Sequence, residues 1–142
     1  MTTEEKDLLR KDLCARLPYG VIVSVTDGTI KYEAYIESVS YKYIQVSPVS
    51  GSVFTPYTFY KISEIKPYLR PMSSMTEEEM DKLADFHIWN DGEKIFPDCN
   101  CKLSDIVSAM NWLNKKMFDY RGLIEKGLAL EAPEGMYNIK NK

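Results

Sequence analysis

The stretch that decides the fold is residues 20–37, which read GVIVSVTDGTIKYEAYIE. Its first six residues form an almost uninterrupted apolar run, which is typical of a buried strand. Asp27-Gly28 then supplies the turn signal of a β-hairpin, because glycine adopts positive φ without steric cost. Apolar and polar residues alternate from Ile30 to Glu37, which predicts a strand with one solvent-facing side. Residues 20–37 therefore predict an antiparallel hairpin within a sheet.

The chain on either side of this hairpin extends the sheet. Residues 2–16 predict a helix, because Thr2 and Glu5 have capping-box spacing and Pro18 ends it. Three further strands are expected at residues 41–47, 53–60 and 66–70. A single helical turn is expected at residues 62–65, before the last of these strands. Pro56 indicates an edge position or a bulge in the fourth strand.

This order of elements resembles the five-stranded SH3-like and Sm-like small barrels. A helix before the first strand favours the Sm-like variant, whereas a single turn before the last strand favours the SH3-like one. The resemblance rests on pattern, with no specific Sm motif. The expected fold is α+β: an N-terminal helix and a five-stranded SH3-like/Sm-like small barrel, followed by a small helical region packed on it. A barrel closes on itself and so protects its edge strands.

Residues 73–142 predict helices rather than a continued sheet. Thr76 and Glu79 form a second capping-box pair, and the acidic run there suits a helix N-terminus. This helix is predicted to end at Asn90-Asp91-Gly92. Its apolar face is expected to carry Met80, Leu83, Ala84 and His87. Short strands are possible at residues 94–96 and 128–130.

A third helix is predicted from Ser104 onward. Its apolar stripe comprises Ile106, Val107, Met110, Leu113 and Met117, with Trp112 at the margin. The polar residues 133–142 are expected to fray. The predicted regions are a helix-capped barrel at 1–72 and a small helical region at 73–142. Each is marginal in size, so one shared core is expected. The side chains expected at that contact are Met80, Met110, Met117 and Trp112.

Composition excludes several classes of protein. The 142 residues are 44% hydrophobic and 27% charged, which is ordinary for a globular protein and excludes wholesale disorder. The net charge of −3 argues against a general polyanion binder. Residues 1–72 hold nine basic against eight acidic residues, and residues 73–142 hold nine against thirteen. No glycine-rich phosphate-binding motif is present.

The three cysteines are Cys14, Cys99 and Cys101. An odd count without framework spacing argues against a disulfide-stapled secreted fold. The N-terminus lacks an apolar signal core, and no apolar run is long enough to span a membrane. A cytoplasmic location without membrane association is therefore expected.

Two segments resemble an uncharacterised protein family of gut Bacteroides and their phages and mobile elements. One is the tail, with WLN at 112–114 and FDYRGLIEKGLALEA at 118–132, and the other is KPYLRPMSSMT at 66–76. The resemblance covers about a third of the chain and implies a bacterial, phage or mobile-element origin. The family has no activity that transfers a catalytic or binding residue to this chain.

Few residues predict catalysis or metal binding. His87 is the only histidine, and its position on an apolar helix face favours a partly buried, hydrogen-bonded structural role. Cys99 and Cys101 are too close together for a zinc pair and lack a second pair. The acidic residues 77–79 point in different directions on a helix and do not converge on a cation. No cofactor or metal is expected.

Tyrosine is the unusual component, with ten residues, eight of them in residues 1–72. Alternation places Tyr35 on the polar side of its strand. In the next strand, Ile44 and Val46 occupy one side, which puts Tyr41 and Tyr43 on the other, with Lys42 between them. This tyrosine-rich face predicts stacking of bases or a grip on a peptide. Plain use of tyrosine as a strand former, or a face covered by the helices, explains the same pattern.

Three function classes follow from these observations. A non-catalytic interaction module comes first, binding a protein partner or self-associating through the tyrosine-rich face and the helical region. A single-stranded DNA or RNA binder is second, because the near-neutral barrel offers few phosphate contacts. An enzyme comes last, since no acid–base pair, nucleophile motif or metal set is recognisable.

Overall fold

The computed structural model describes residues 1–28, 30–49 and 58–137. The α-helices are α1 (Thr3–Arg16), α2 (Glu77–Ala84) and α3 (Leu103–Lys115). The strands are β1 (Ile22–Asp27), β2 (Ile30–Val39), β3 (Ile44–Pro48), β4 (Phe59–Tyr60), β5 (Ile65–Leu69), β6 (Ile88–Asn90), β7 (Ile95–Pro97) and β8 (Leu130–Glu131). Short 3-10 helices occupy Leu17–Tyr19, Ile62–Glu64 and Met72–Ser74.

Six strands form one curled, mixed sheet in the order β4-β3-β2-β1-β5-β8. β1 and β2 pair antiparallel as the predicted hairpin, with Asp27 opposite Ile30. The side chains of β2 alternate between exposed and buried along the strand, as its sequence predicts. The α+β class is thereby confirmed, and the sheet has one more strand than the five expected.

The additional strand comes from the C-terminal region. β8 runs parallel to β5, with Tyr68 opposite Leu130 and Leu69 opposite Glu131. The sequence predicts either a short strand or a packed tail at residues 128–130. The strand that forms begins two residues later and spans Leu130–Glu131. Its partner could not be predicted, because the pairing joins positions about sixty residues apart.

The third strand begins later than predicted. Tyr41 and Lys42 lie in the turn between β2 and β3, and the strand starts at Ile44. The Ser40 hydroxyl donates to the Tyr43 carbonyl oxygen at 2.8 Å, which closes this turn. Residues 53–57 of the fourth predicted strand lie outside the described residues, and Phe59–Tyr60 at its end forms β4. The expected turn at 50–51 and Pro56 lie outside the described residues.

The second helix ends earlier than predicted. α2 begins at the expected Thr76 cap but stops at Ala84, and His87 has φ 60°, in the left-handed region. The residues that follow form β6, which pairs antiparallel with β7. Asp91 stabilises the turn between them, since its carboxylate accepts from the backbone N–H groups of Glu93 and Lys94. His87 therefore does not lie on the helix.

The curled sheet and the C-terminal region share a core. The main buried cluster joins α1 and the sheet to Met117, Leu123, Leu128 and Ala129. Met117 is thus at the expected contact. Met110 and Trp112 instead pack in a second cluster around Leu113, and Met80 is exposed.

Backbone hydrogen bonds at the end of β5 hold the two regions together. The N–H of Arg70 donates to the Met117 carbonyl oxygen at 2.7 Å, and the N–H of Asp119 donates to the Arg70 carbonyl oxygen at 2.8 Å. The N–H of Ala132 donates to the Leu69 carbonyl oxygen at 2.8 Å. The C-terminal chain therefore covers the open edge of β5.

A buried ion pair reinforces this junction. Asp12 and Arg16 lie one turn apart on α1, both fully buried, with Oδ2 and Nε 2.9 Å apart. Arg16 Nη2 also donates to the carbonyl oxygen of Phe118 at 2.7 Å. Because a buried charge needs paired partners, this arrangement ties α1 to the chain that follows α3.

None of the helices in the described part of the chain is long and apolar enough to cross a membrane.

Candidate binding surfaces

The four residues predicted as a tyrosine-rich face lie at three separate places. Tyr41 is 82% exposed and lies with Lys42 in the β2–β3 turn. Tyr43 is 48% exposed at the start of β3, and Tyr35 is 40% exposed in β2. Each of the three tyrosines reaches solvent, but Tyr35 and Tyr43 line different cavities.

The β2–β3 turn rests on α1 through an arginine. The Arg10 guanidinium lies 5.3 Å from the centre of the Tyr41 ring, and its Nη2 donates to the Tyr41 carbonyl oxygen at 3.2 Å. Asp7 pairs with the same guanidinium at 3.1 Å. The exposed Tyr41 ring and the partly buried Arg10 therefore form a cation–π contact at one end of the sheet, and the exposed Lys42 follows in the same turn.

Tyr43 lines a shallow cavity of about 480 Å³ near the start of β3. Its other lining residues are Asp27, Phe59, Tyr60, Lys61, Ser63 and Glu64. The cavity carries both charge signs. Tyr60 is itself buried and lies 2.9 Å, hydroxyl to hydroxyl, from Tyr32.

Tyr35 lines a second, more enclosed cavity of about 460 Å³, which we call the tyrosine–lysine cavity. It is lined by Pro18, Tyr19, Gly20, Ile22, Tyr35, Lys115, Lys116, Met117, Met136 and Tyr137. The walls therefore come from the turn after α1, from β1 and β2, from the end of α3 and from the C-terminal tail.

Tyr137 secures the tail against the sheet. Its hydroxyl donates to the carbonyl oxygen of Tyr68 at 2.7 Å and accepts from the N–H of Ile22 at 2.9 Å. These backbone groups lie at the end of the β1–β5 ladder, where the hydroxyl replaces missing strand pairing. Burial raises the pKa of Tyr137 well above its ordinary value, so the hydroxyl stays protonated at neutral pH.

In addition to Met80 on α2, the C-terminal region exposes large apolar side chains on the β6–β7 hairpin and on the first half of α3. We call this set the acidic apolar surface; it comprises Trp89, Phe96, Leu103, Ile106 and Val107. Trp89 and Phe96 are directly opposite each other on the hairpin, and they are 61% and 48% exposed. On α3, Leu103 is 77% exposed and Val107 is 53% exposed.

The chain that contains Trp89, Phe96 and Leu103, and that leads into Ile106 and Val107, is strongly acidic. Residues 77–105 contain nine acidic and three basic residues, a net charge of −6. One of the nine, Glu79, pairs with Arg70 through two hydrogen bonds of 2.7 and 2.8 Å. Apolar side chains framed by unbalanced charge of one sign are typical of a protein-binding surface.

His87 and Cys101 make local contacts rather than a shared site. His87 is half-buried, as expected, and its Nδ1 lies 3.4 Å from Asp98 Oδ2. All three cysteines are free thiols, and burial raises the pKa of Cys101, with a further contribution from Asp105 and Asp98. Neither of the two cavities is lined by His87. In the described part of the chain, histidine, cysteine and acidic residues form no group able to hold a metal ion.

Sequence reasoning did not identify the acidic apolar surface. Trp89 was assigned to a helix, although Asp91-Gly92 between two short apolar segments is a hairpin signal. Ile106 and Val107 were included in the apolar stripe of α3, but periodicity does not show which part of a stripe another element covers. Leu103 precedes the predicted helix start.

No protein-family model, curated protein or solved structure matches this chain, so its function is inferred from its own geometry.

Proposed function

We propose that the protein is a non-catalytic interaction module and that the acidic apolar surface binds a protein partner. The single observation that carries this proposal is the exposure of Trp89, Phe96, Leu103 and Val107 within an acidic segment. Aromatic residues, Trp above all, are enriched among the residues that dominate binding energy at protein interfaces. Exposed apolar side chains that lie together, rather than singly, often mark interaction sites.

The arrangement of α3 favours a helical or extended partner segment. Leu103, Ile106 and Val107 are spaced at i, i+3 and i+4, so they present a continuous apolar stripe. An amphipathic partner helix can lay its apolar side along such a stripe.

The charge of the surface indicates the character of the partner. With a net charge of −6 over residues 77–105, two copies of this surface repel each other. A partner whose apolar stripe is flanked by Lys and Arg gains both contact and electrostatic attraction. We therefore infer a basic amphipathic segment rather than a second copy of the chain.

Binding of single-stranded DNA or RNA at the β2–β3 turn is the second candidate function. It is supported by the cluster of Tyr41, Lys42 and Arg10, which combines an exposed aromatic ring with two cations. Base stacking on tyrosine and contacts of cations with phosphate are the usual components of such sites. The cluster is small, and Asp7 neutralises part of it.

We also propose that the sheet is an SH3-like small barrel in a bacterial or phage protein that works in the cytoplasm. The order β4-β3-β2-β1-β5 and the 3-10 turn before β5 support the barrel type. The tail sequence at 118–132 supports the origin. Three free thiols suit a reducing compartment.

The proposal is tested with a designed amphipathic helix of Leu and Lys as the probe. NMR titration of the full chain should show saturable shifts of the backbone amides around Trp89, Phe96 and residues 103–107. A Leu–Glu helix and a scrambled Leu–Lys peptide are the matched probes. The double variant L103S/V107S should weaken binding about tenfold or more, whereas Y41A should leave it unchanged.

Each other outcome contradicts a defined part of the proposal. Shifts that centre on Tyr41 and Lys42 would place peptide binding on the other surface. Binding of the Leu–Glu helix with equal strength would remove the role of charge. A dimer detected by light scattering, abolished by L103S/V107S, would replace the partner by a second copy. Salt-dependent binding of single-stranded DNA that Y41A abolishes would support the second candidate function.

A further inference from the structure

We propose that the tyrosine–lysine cavity binds a small molecule that carries an aromatic ring and an anionic group. This site is independent of the proposed protein-binding surface, with which it shares no residue. Its volume of about 460 Å³ lies in the range of ordinary small-molecule sites, roughly 300–1,000 Å³.

The walls offer apolar and aromatic contact. Ile22 and Met117 are buried beneath the cavity surface, whereas Tyr19 and Tyr35 remain 37% and 40% exposed beside them. The hydroxyl of Tyr137 is hydrogen-bonded to the backbone of β1 and β5. Tyr137 can therefore contact a ligand through its ring. Three tyrosine rings around one cavity favour a planar aromatic group, which stacks well on such faces.

The two charged residues that line the cavity are both basic. Lys115 and Lys116 both line it, and neither ammonium group pairs with a carboxylate in the part of the chain that the structure describes. They follow one another at the end of α3, where the helix dipole contributes about half a negative charge. Two lysine charges exceed that amount, so the cavity attracts an anion. A carboxylate, sulfonate or phosphate provides the acceptors that an ammonium group prefers.

The cavity is held in shape by backbone contacts. Gly20 turns the chain after α1 with φ 75°, and Met117 adopts φ 62° at the end of α3. Met117 is fixed by its N–H, which donates to the Asn114 carbonyl oxygen, and by its carbonyl oxygen, which accepts from Arg70. A preformed site loses little free energy to ordering when a ligand binds.

The test uses phenyl phosphate, phenol and inorganic phosphate as probes of the full chain, followed by NMR. Phenyl phosphate should give saturable shifts at the amides of Gly20, Lys115 and Lys116, with a dissociation constant on the order of 1 mM or tighter. Phenol and inorganic phosphate should each bind at least about tenfold more weakly, because each lacks one of the two recognised groups.

Matched variants assign the binding to the cavity. K115Q/K116Q should weaken phenyl phosphate binding about fivefold or more, and K31Q/K66Q, which changes two exposed lysines outside the cavity, should leave it unchanged. Y35T should weaken it and Y43T should not. The folded state of each variant is read from the dispersion of the same spectra.

Three results would overturn the inference. The first is the lack of saturable shifts with phenyl phosphate. The second is a loss of phenyl phosphate binding in K31Q/K66Q as large as that in K115Q/K116Q, and the third is binding of inorganic phosphate as tight as that of phenyl phosphate. None of these results bears on the acidic apolar surface, whose probe is a cationic peptide that acts at other residues. Failure of one proposal is therefore distinguishable from failure of the other.

Discussion

The two halves of α3 differ in what covers them, although their apolar spacing is the same. In the C-terminal half, Leu113 and Asn114 are buried, and the chain continues into the core through Met117. In the N-terminal half, Leu103 and Val107 are exposed to solvent. The difference indicates that one half of the helix stabilises the fold while the other is available for binding.

The surroundings of the two halves explain the difference. The C-terminal half leads into the chain that pairs with β5 and accepts the buried Arg16, so it has backbone and side-chain partners on several sides. The N-terminal half follows the short loop of residues 98–102 after the β6–β7 hairpin. The apolar stripe of α3 thus extends beyond the part of the helix that packs against the core. Helices that bind partners often have such an uncovered apolar side.

The largest expected effect comes from the buried ion pair below the C-terminal half. R16M leaves Asp12 buried with only the more distant Arg121, whose Nε lies 3.7 Å from Asp12 Oδ1. We expect R16M to lower the free energy of unfolding by about 3–5 kcal/mol, measured by urea denaturation. The double variant D12L/R16M should lose less than R16M alone, because it removes the unpaired charge as well.

An equal loss in D12L/R16M and R16M would contradict this interpretation. It would show that the hydrogen bond from Arg16 to the Phe118 carbonyl oxygen, rather than the charge on Asp12, determines the effect. The junction between α1 and the C-terminal chain would still be essential for folding.

Truncating one leucine in each half of α3 compares the halves directly. Leu113 is fully buried, so L113A should lower the free energy of unfolding by about 2–5 kcal/mol through lost burial and a cavity. Leu103 is 77% exposed, and L103A should change stability by less than about 0.5 kcal/mol. Urea denaturation of both variants at one pH measures the contrast. Similar losses in the two variants would remove the distinction.

The smallest expected effect concerns pH and the start of α2. Burial raises the pKa of Glu79, but hydrogen bonds from Arg70 and Thr76 outweigh it and hold the pKa below the ordinary 4.5. A carboxylate with a lowered pKa in the folded state contributes stability above about pH 4.5, and this contribution is lost as the pH falls through the folded-state value. E79Q should therefore be less stable than the wild type at pH 7, and the difference should shrink at pH 3.

The neighbouring variant E78Q is the control for this measurement, because Glu78 is exposed. It should show little difference from the wild type at either pH. A difference for E79Q that stays constant between pH 7 and pH 3 would mean that the carboxylate charge does not stabilise this end of the C-terminal region.

Local patterns predicted the elements whose causes are local. The β1–β2 hairpin follows from alternation and Asp27-Gly28, and both α1 and α2 begin at their predicted capping boxes. The end of α2 could not be predicted from its apolar face, since pairing of β6 with β7 competes with the helix and prevails. The signal for that pairing is also local, at Asp91-Gly92, but helical periodicity does not register it.

The candidate sites were less predictable because they depend on long-range contacts. The tyrosine-rich face was inferred from strand alternation, which correctly exposes Tyr35 but does not show that Lys115 and Tyr137 share its cavity. Likewise, the sequence shows the apolar stripe on α3, but it does not show which half of that stripe the rest of the protein leaves uncovered. Parallel pairing of β8 with β5 depends equally on positions remote in the chain.

The measurement that tests the account most directly is the NMR titration of L103S/V107S with the Leu–Lys helix. The same spectra report folding and binding. We predict a dispersed, native-like spectrum whose shifts at Trp89, Phe96 and residues 103–107 saturate only at about tenfold or more higher peptide concentration, which means a folded protein with a damaged binding surface. A collapsed spectrum would show that these residues belong to the core, and wild-type binding would show that the surface lies elsewhere; either result contradicts the account.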